Sequence, residues 1–236
     1  MVRIKFFYLA KYLLVIFLFS IFFNSCSTKK ESVKVLTENQ CSYLIEKIKK
    51  IKPDNNSYKI TGTIKGRGLL YALFKGYLKK DIKISFYSPF GEKLYTLEST
   101  GEADLKTYKN KNDLKSTSND IYCIKSEKEL LCANRKDFYK ALFNIDIPFS
   151  LREVILGRYD LSNFKNYRCE GDKVIVEGDK QKYIFSADGK LERVNIGEYS
   201  IKYKWEDDKK YPYLIKIYKD DDYMVKIRIK SVKKVD

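Results

Sequence analysis

The sequence of 236 residues contains no histidine, only four prolines and one tryptophan. Without histidine, neither a Ser-His-Asp triad nor a Cys-His pair can form, and a His-ligated zinc site is excluded. Carboxylate pairs are still possible, but acidic residues lie mainly in polar turn segments such as residues 207–208 and 220–222. We therefore expect a protein that is not an enzyme and that uses neither a cofactor nor a metal.

Acidic residues are scarce relative to basic ones, with 31 Asp and Glu against 47 Lys and Arg, and the formal net charge is +16. One interpretation is attraction to anionic surfaces such as phospholipid or lipopolysaccharide headgroups, or to an acidic partner. The other is that lysine fills the solvent-facing positions of strands. The basic residues are spread along the chain and interleaved with Asp and Glu. This favours the second interpretation and argues against nucleic acid, whose binding faces more often cluster their charge.

The N-terminal segment lacks the length of a membrane-spanning helix. Its apolar run, residues 12–23, has about a dozen residues where a transmembrane helix needs ~20. Arg3, Lys5 and Lys11 supply positive charge in front of this run. A basic start followed by a short apolar run is typical of a secretory signal peptide.

The apolar run ends at Asn24-Ser25-Cys26-Ser27, which resembles a bacterial lipobox. Signal peptidase II cleaves before the cysteine of a lipobox, and the cysteine then carries acyl chains such as palmitate. We expect a signal peptide at residues 1–25 and a lipidated tether at residues 26–36, with Cys26 as the lipidation site. Ser27, rather than Asp, fits the enterobacterial rule for sorting to the outer membrane. The alternative is an uncleaved signal anchor with a chance cysteine.

Beyond the lipobox the chain has four cysteines, an even number that permits two disulfides in an exported protein. If residues 127–128 form a two-residue turn, Cys123 and Cys132 face each other as a non-hydrogen-bonded pair, with Cα atoms about 4.5 Å apart. That distance allows a disulfide. A bridge between Cys41 and Cys169 follows only by elimination, and four buried free thiols are the alternative.

From Ser57 onward, apolar and polar residues alternate over many segments, which is typical of antiparallel strands with one buried and one solvated face. We predict strands at residues 58–64, 69–78, 81–87, 93–99, 102–108, 199–205 and 223–230, and a hairpin at 121–133. Three other segments, residues 37–51, 135–145 and 150–156, have apolar residues at helical spacing. Ser150 is a candidate N-cap of the last helix and Gly157 its stop.

A long antiparallel sheet curls, and its curled face needs a cover. The three predicted helices are the available cover. The predicted fold is therefore mostly β with an α cover. It is a curved antiparallel sheet of about ten or eleven strands that forms an incomplete barrel closed by short helices, in a single domain at residues 37–236.

Three segments carry a resemblance to a known family. Residues 58–62 (YKITG) lead a strand to a glycine, and residues 88–91 (SPFG) place a Pro-apolar-Gly loop after a strand. Residues 147–157 (IPFSLREVILG) join an apolar-Pro-apolar run to Leu-Arg and an apolar turn that ends in Gly. In this order they resemble the LolB-like outer-membrane lipoprotein receptors, which share their fold with the LolA-type periplasmic carriers. The resemblance covers about residues 37–231, with Val154 where family members usually have Trp.

The resemblance implies an outer-membrane lipoprotein that faces the periplasm. Such a protein accepts acylated lipoproteins from a LolA-type carrier and inserts them into the outer membrane. It implies that the loop of Pro89, Phe90 and Gly91 enters the bilayer or contacts the partner; the alternative is a turn with Phe90 folded back on the sheet. We expect a monomer.

An acyl carrier needs an apolar cavity, because each exposed CH2 costs roughly 0.8 kcal/mol in water. Inward-facing residues could line such a cavity or could be ordinary core. The candidate lining residues are Phe74, Ile84, Phe86, Tyr203, Trp205, Ile217 and Ile227. The candidate residues of the covering helices are Phe138, Leu142, Leu151, Val154 and Ile155.

A second hypothesis is a structural or assembly lipoprotein of the envelope that uses the same sheet as a protein-binding surface. A hydrolase of envelope polymers is disfavoured, because histidine and a nucleophile motif are absent. Uptake of acylated peptide would separate the first two hypotheses.

Overall fold

The alternating segments of the sequence form one antiparallel sheet. The computed structural model describes residues 35–52, 56–67, 71–79, 81–100, 121–126 and 129–235, and these contain thirteen strands. The predicted signal peptide, Cys26, most of the tether and the predicted strand at 102–108 lie outside the described residues. The strands are β1 (Ser57–Gly66), β2 (Ala72–Leu78), β3 (Ile82–Tyr87), β4 (Lys93–Thr100), β5 (Ile121–Lys125), β6 (Leu130–Asn134), β7 (Asn166–Glu170), β8 (Lys173–Glu177), β9 (Gln181–Phe185), β10 (Leu191–Ile196), β11 (Tyr199–Trp205), β12 (Pro212–Lys219) and β13 (Asp222–Val235).

The strand order in space is β6-β5-β4-β3-β2-β1-β13-β12-β11-β10-β9-β8-β7. Strands β1 to β6 form one meander and β7 to β13 another, and the pairing of β1 with β13 joins them. The sheet is curved and open, with helices over one face, so the predicted fold class is confirmed. The described residues hold thirteen strands rather than ten or eleven, partly because β7, β8 and β9 have only five residues each. We call the helix-covered face the inner face and the opposite one the outer face.

Gly62, which ends the segment YKITG, lies where neighbouring atoms leave no room for a side chain. The register of β1 with β13 shifts between Thr61 and Gly62, where Lys230 of β13 is the extra residue of a bulge. A Cβ atom on Gly62 would lie 2.3 Å from the carbonyl oxygen of Arg228 and 2.4 Å from the ring of Phe74. Only glycine therefore allows β13 and Phe74 to approach β1 this closely.

Three helices lie within the described ranges: α1 (Glu38–Lys49), α2 (Arg135–Phe143) and α3 (Leu151–Leu156). They begin and end within two residues of the predicted bounds. Ser150 and Glu153 form a capping box at the start of α3, and Gly157 ends it with φ +61°. Within the described part of the chain, none of these helices has the length and apolar character needed to cross a bilayer.

Two disulfides lie within the described chain. Cys41 in α1 is bonded to Cys169 in the edge strand β7, with the Cα atoms 6.1 Å apart. Cys123 and Cys132 are partners in register on β5 and β6, and their Cα atoms are 4.1 Å apart. The first bridge closes a separation of 128 residues and the second a separation of nine. The long bridge therefore removes far more conformational freedom from the unfolded chain.

We expect the double substitution Cys41→Ala/Cys169→Ala to lower the free energy of unfolding by about 5 kcal/mol, and Cys123→Ala/Cys132→Ala by about 2.5 kcal/mol, because loop-closure entropy grows with loop length. Urea denaturation of both variants and of the unmodified chain, each with and without reductant, measures the two costs. Equal costs would contradict the loop-length argument.

Candidate apolar ligand site

A small cavity lies between the inner face of the sheet and the segment that contains α2 and α3. Its volume is about 40 Å³. We call residues 135–156 the helical cover, since they close this cavity from above. Of the described residues, those that line the cavity are aliphatic or aromatic: Ile64, Phe74, Ile84, Phe86, Tyr95, Leu97, Tyr139, Ile145, Ile147, Leu151, Val154, Ile155, Ile217, Val225 and Ile227.

Five of the predicted lining residues lie around this cavity, namely Phe74, Ile84, Phe86, Ile217 and Ile227. Tyr203 and Trp205 face the same side of the sheet but lie elsewhere on β11, and they do not line the cavity. The hydroxyl of Tyr203 is hydrogen-bonded to that of Tyr159. The indole N–H of Trp205 donates to the carbonyl oxygen of Leu191 at 2.6 Å. Tyr203 therefore holds the segment that follows α3, and Trp205 holds strand β10.

The predicted cover residues divide in a similar way. Leu151, Val154 and Ile155 of α3 line the cavity. Phe138 of α2 is buried away from it and stacks on Tyr122 of β5, with ring centroids 4.8 Å apart. The side chain of Leu142 lies outside the described residues, although its backbone is part of α2.

The sequence reasoning missed three cover residues that line the cavity: Tyr139, Ile145 and Ile147. Tyr139 follows Phe138 in α2, and consecutive residues can share the apolar face of a helix, as Val154 and Ile155 do in α3. Ile145 and Ile147 lie in the connection between α2 and α3. In the sequence, Ile145 continues the helical spacing of Phe138 and Leu142, and Ile147 belongs to the apolar-Pro-apolar run at residues 147–149. Neither signal indicates a cavity wall.

Arg152 fixes the helical cover to one end of the sheet. Its guanidinium donates to the carbonyl oxygens of Leu78 and Lys79, both at 3.0 Å, and also to that of Asn56. These three carbonyls belong to the end of β2, the turn after it and the residue before β1. In the sequence, Arg152 stands out only as part of the Leu-Arg pattern at residues 151–152. Its role depends on long-range contacts that the sequence does not specify.

The interior beneath the cover carries hydroxyl groups but no charge among the described lining residues. Burial raises the pKa of Tyr139, Tyr159 and Tyr203 well above the ordinary value for tyrosine. All three phenols therefore stay neutral at physiological pH. Over the described ranges, no three His, Cys, Asp or Glu side chains come together to form a metal site. The arrangement suits apolar contact, and the titratable side chains among the described lining residues are the phenols of Tyr95 and Tyr139.

The loop between β3 and β4 places Phe90 in solvent. Its backbone is held by Ser88, whose hydroxyl accepts from the N–H groups of Phe90 and Glu92 at 3.3 and 3.2 Å. The N–H of Gly91, at φ +92°, donates to the carbonyl oxygen of Ser88. The side chain of Phe90 is 92% exposed, and Pro89 is also exposed. Phe90 is therefore presented outward by an ordered turn rather than folded back on the sheet.

The size of the cavity limits what the described conformation can hold. An apolar cavity of roughly 150 Å³ admits benzene, whereas this one measures about 40 Å³. An acyl chain is much larger than benzene. Space for it requires the helical cover to move away from the inner face.

No protein-family model matches the chain, and no curated protein matches it. Among solved structures, it is similar to a LolA superfamily protein from Nitrosomonas europaea, with a TM-score of 0.45 and 7% identity over 83% of this chain and 94% of that chain. It is also similar to a putative outer membrane lipoprotein-sorting protein domain from Vibrio parahaemolyticus. The TM-score there is 0.45, with 9% identity over 83% of this chain and 92% of that chain.

We expect Arg152→Met to lower the free energy of unfolding by about 2–3 kcal/mol, because it leaves three carbonyl acceptors without a charged donor. The effect should be largest in the cover, because the guanidinium of Arg152 bonds α3 to the ends of β1 and β2. Hydrogen exchange of the amides in α3 should accelerate more than exchange in β11 and β12. The matched control is Lys140→Met on the exposed side of α2, which should change neither quantity. Uniform acceleration across the sheet would contradict a specific tie of the cover.

Proposed function

We propose that the protein binds acyl chains of lipoproteins between the helical cover and the inner face of the sheet. The observation that carries this proposal is the cavity, whose described lining residues are aliphatic or aromatic. Acyl chains cost roughly 0.8 kcal/mol for each CH2 exposed to water, so a carrier must offer such a surface. None of the described residues that line the cavity carries a charge.

Binding requires an opened state in which the cover has separated from the sheet. The closed cavity of about 40 Å³ is too small for an acyl chain. Apparent affinity is then the intrinsic affinity reduced by the fraction of molecules that are open. Arg152 contributes to this fraction, because it bonds the cover to three carbonyls at the ends of β1 and β2.

We propose that Phe90 carries the delivery step. A side chain that is 92% exposed on an ordered turn is available to enter a bilayer or a partner. Burying a phenylalanine side chain contributes about 1.5–3 kcal/mol, enough for a transient contact and too little for permanent anchoring. Permanent anchoring would come from acyl chains on Cys26, which the lipobox-like segment predicts.

The wider setting of the proposal is the last step of lipoprotein sorting. The protein would be anchored in the outer membrane, face the periplasm, receive cargo from a LolA-type carrier and insert it into that membrane. The segment around Cys26 and the three family-like segments support this setting.

A second candidate function is a structural or assembly role in the envelope, with the sheet as a protein-binding surface. The cavity size favours it: at about 40 Å³ the interior is close to an ordinary packed core. The two candidates differ in whether the cover opens.

We expect the full chain to bind a triacylated peptide, and Arg152→Met to bind it more tightly, because weakening the closed state raises the open fraction. Fluorescence titration of a labelled triacylated peptide, with the deacylated peptide alongside, measures this. Lys140→Met is again the control and should bind like the unmodified chain. If neither the chain nor Arg152→Met binds acylated peptide, the interior is only a core and the structural role becomes the better explanation.

We expect Phe90→Glu to accept acylated cargo normally but to fail in passing it to liposomes, because a carboxylate at the tip of the turn opposes insertion into an apolar phase. The assay follows a radiolabelled triacylated lipoprotein from a LolA-type carrier to the chain and then into liposomes. Tyr43→Glu is the control: Tyr43 is 69% exposed, but it lies on α1 rather than on the loop. Loss of delivery in both variants would show that the defect is not specific to the loop, and would remove the special role of Phe90.

A further inference from the structure

Strand register gathers basic residues that the sequence spreads along the chain. Arg193 on β10 pairs with Lys202 on β11, and Lys202 pairs with Lys216 on β12. Lys216 pairs with Lys226 on β13, and Lys226 with Lys65 on β1. We call these five residues the basic row. They cross five neighbouring strands on the outer face, over about 19 Å at the usual strand spacing.

The basic row borders two hollows in the outer face. One, of about 330 Å³, is lined by Thr63, Lys65, Tyr71, Lys226, Arg228 and Lys230. The other, of about 390 Å³, contains Arg193, Lys202, Lys204 and Lys216. Four to five cations therefore surround each hollow, within reach of a small anionic group.

Carboxylates do not neutralise this surface. Among the described residues that line the two hollows, the one carboxylate belongs to Glu192, which is bound to Lys173 at 2.7 Å. At the nearby end of the sheet, Asp222 is bound to Arg67 and Glu198 to Lys219. Like charges directly opposite on neighbouring strands destabilise a sheet. The row therefore carries an electrostatic cost that anions on the outer face would relieve.

The basic row lies toward the same end of the sheet as the exposed Phe90. Thr63, Leu73 and Tyr87 are at one level across β1, β2 and β3. Lys65 on β1 and the loop that follows Tyr87 both lie beyond that level in the same direction. Since β3 is two strands from β1, the loop and the row are separated by roughly 10 Å across the sheet. Tyr71, which is 43% exposed, lies between them on the way into β2.

We propose that the outer face from β10 to β1 docks on an anionic lipid surface through the basic row. A row about 19 Å long suits an array of phosphate headgroups better than one free phosphate ion. The nearby exposed phenylalanine and tyrosine favour a bilayer over a nucleic acid or an acidic protein, because aromatic side chains partition to the membrane interface. This docking surface is distinct from the cavity and does not depend on acyl binding there.

The test compares partition of the full chain onto vesicles of phosphatidylcholine alone and onto vesicles that contain 30% phosphatidylglycerol. The row variant is Lys65→Gln/Lys216→Gln/Lys226→Gln. Each basic residue near an anionic surface strengthens partition roughly fivefold, so the variant should lose on the order of 100-fold on anionic vesicles and nothing on neutral ones. The partition coefficient on anionic vesicles is divided by that on neutral vesicles, so the contribution of the apolar N-terminal run cancels.

The matched control is Lys50→Gln/Lys52→Gln/Lys140→Gln, which removes the same charge from exposed positions on and next to the helices. It should keep the preference for anionic vesicles. Unfolding temperatures of both variants should be unchanged or, for the row variant, raised, since repulsion between neighbouring lysines is relieved.

Equal losses in the row variant and the control would overturn the proposal, because net charge alone would then explain binding. So would tighter, row-dependent binding to single-stranded DNA or polyglutamate than to anionic vesicles. A chain that prefers anionic vesicles through the row but takes up no acylated peptide would refute acyl binding and leave this inference standing. A chain that takes up acylated peptide but shows no row-dependent preference for anionic vesicles would overturn this inference and leave acyl binding standing.

Discussion

The pairing of β1 with β13 is the constraint on which the rest of the structure depends. It joins residues about 170 positions apart, from Ser57 opposite Val235 to Gly66 opposite Val225. Without it, the two meanders would be separate sheets, each with a further open edge. The same pairing brings Ile64 beside Val225 and Ile227 at the cavity and sets Lys65 opposite Lys226 on the outer face. The inner cavity and the outer basic row thus lie on opposite faces of the same strand pair, β1 and β13.

The helical cover follows from the same topology. Strands β6 and β7 are consecutive in the described chain but lie at the two opposite edges of the sheet. The segment between them must therefore travel across the whole sheet. Crossing the inner face buries its apolar residues, whereas crossing the outer face would bring them among lysines. The capping box at Ser150 and the left-handed Gly157 make α3 short enough to fit this path.

Much of this could be predicted from sequence, because strand alternation and helix caps are local signals. The alternation placed β11 and β13, and Ser150 with Gly157 placed α3. Alternation also put Tyr203 and Trp205 on the inner face, but it does not say where along that face the cavity lies. That position depends on strand register, which long-range pairing sets. Register also explains why the lysines looked scattered: Lys65 and Lys226 are 161 positions apart in sequence and direct partners in the sheet.

The free-energy cost of opening the cover can be compared with the free energy that the proposed acyl binding would gain, because both depend on buried apolar area. Removing four cover side chains such as Leu151, Val154, Ile155 and Tyr139 from the inner face costs about 6–12 kcal/mol, at 1.5–3 kcal/mol each. An acyl chain of about 15 methylenes gains roughly 12 kcal/mol on burial. The gain equals or exceeds the cost, so one acyl chain offsets the opening, and it does so by a wider margin when the displaced side chains keep part of their burial against the ligand. A cover that stays in contact with the bound acyl chain keeps this burial, and a cover released into water loses it.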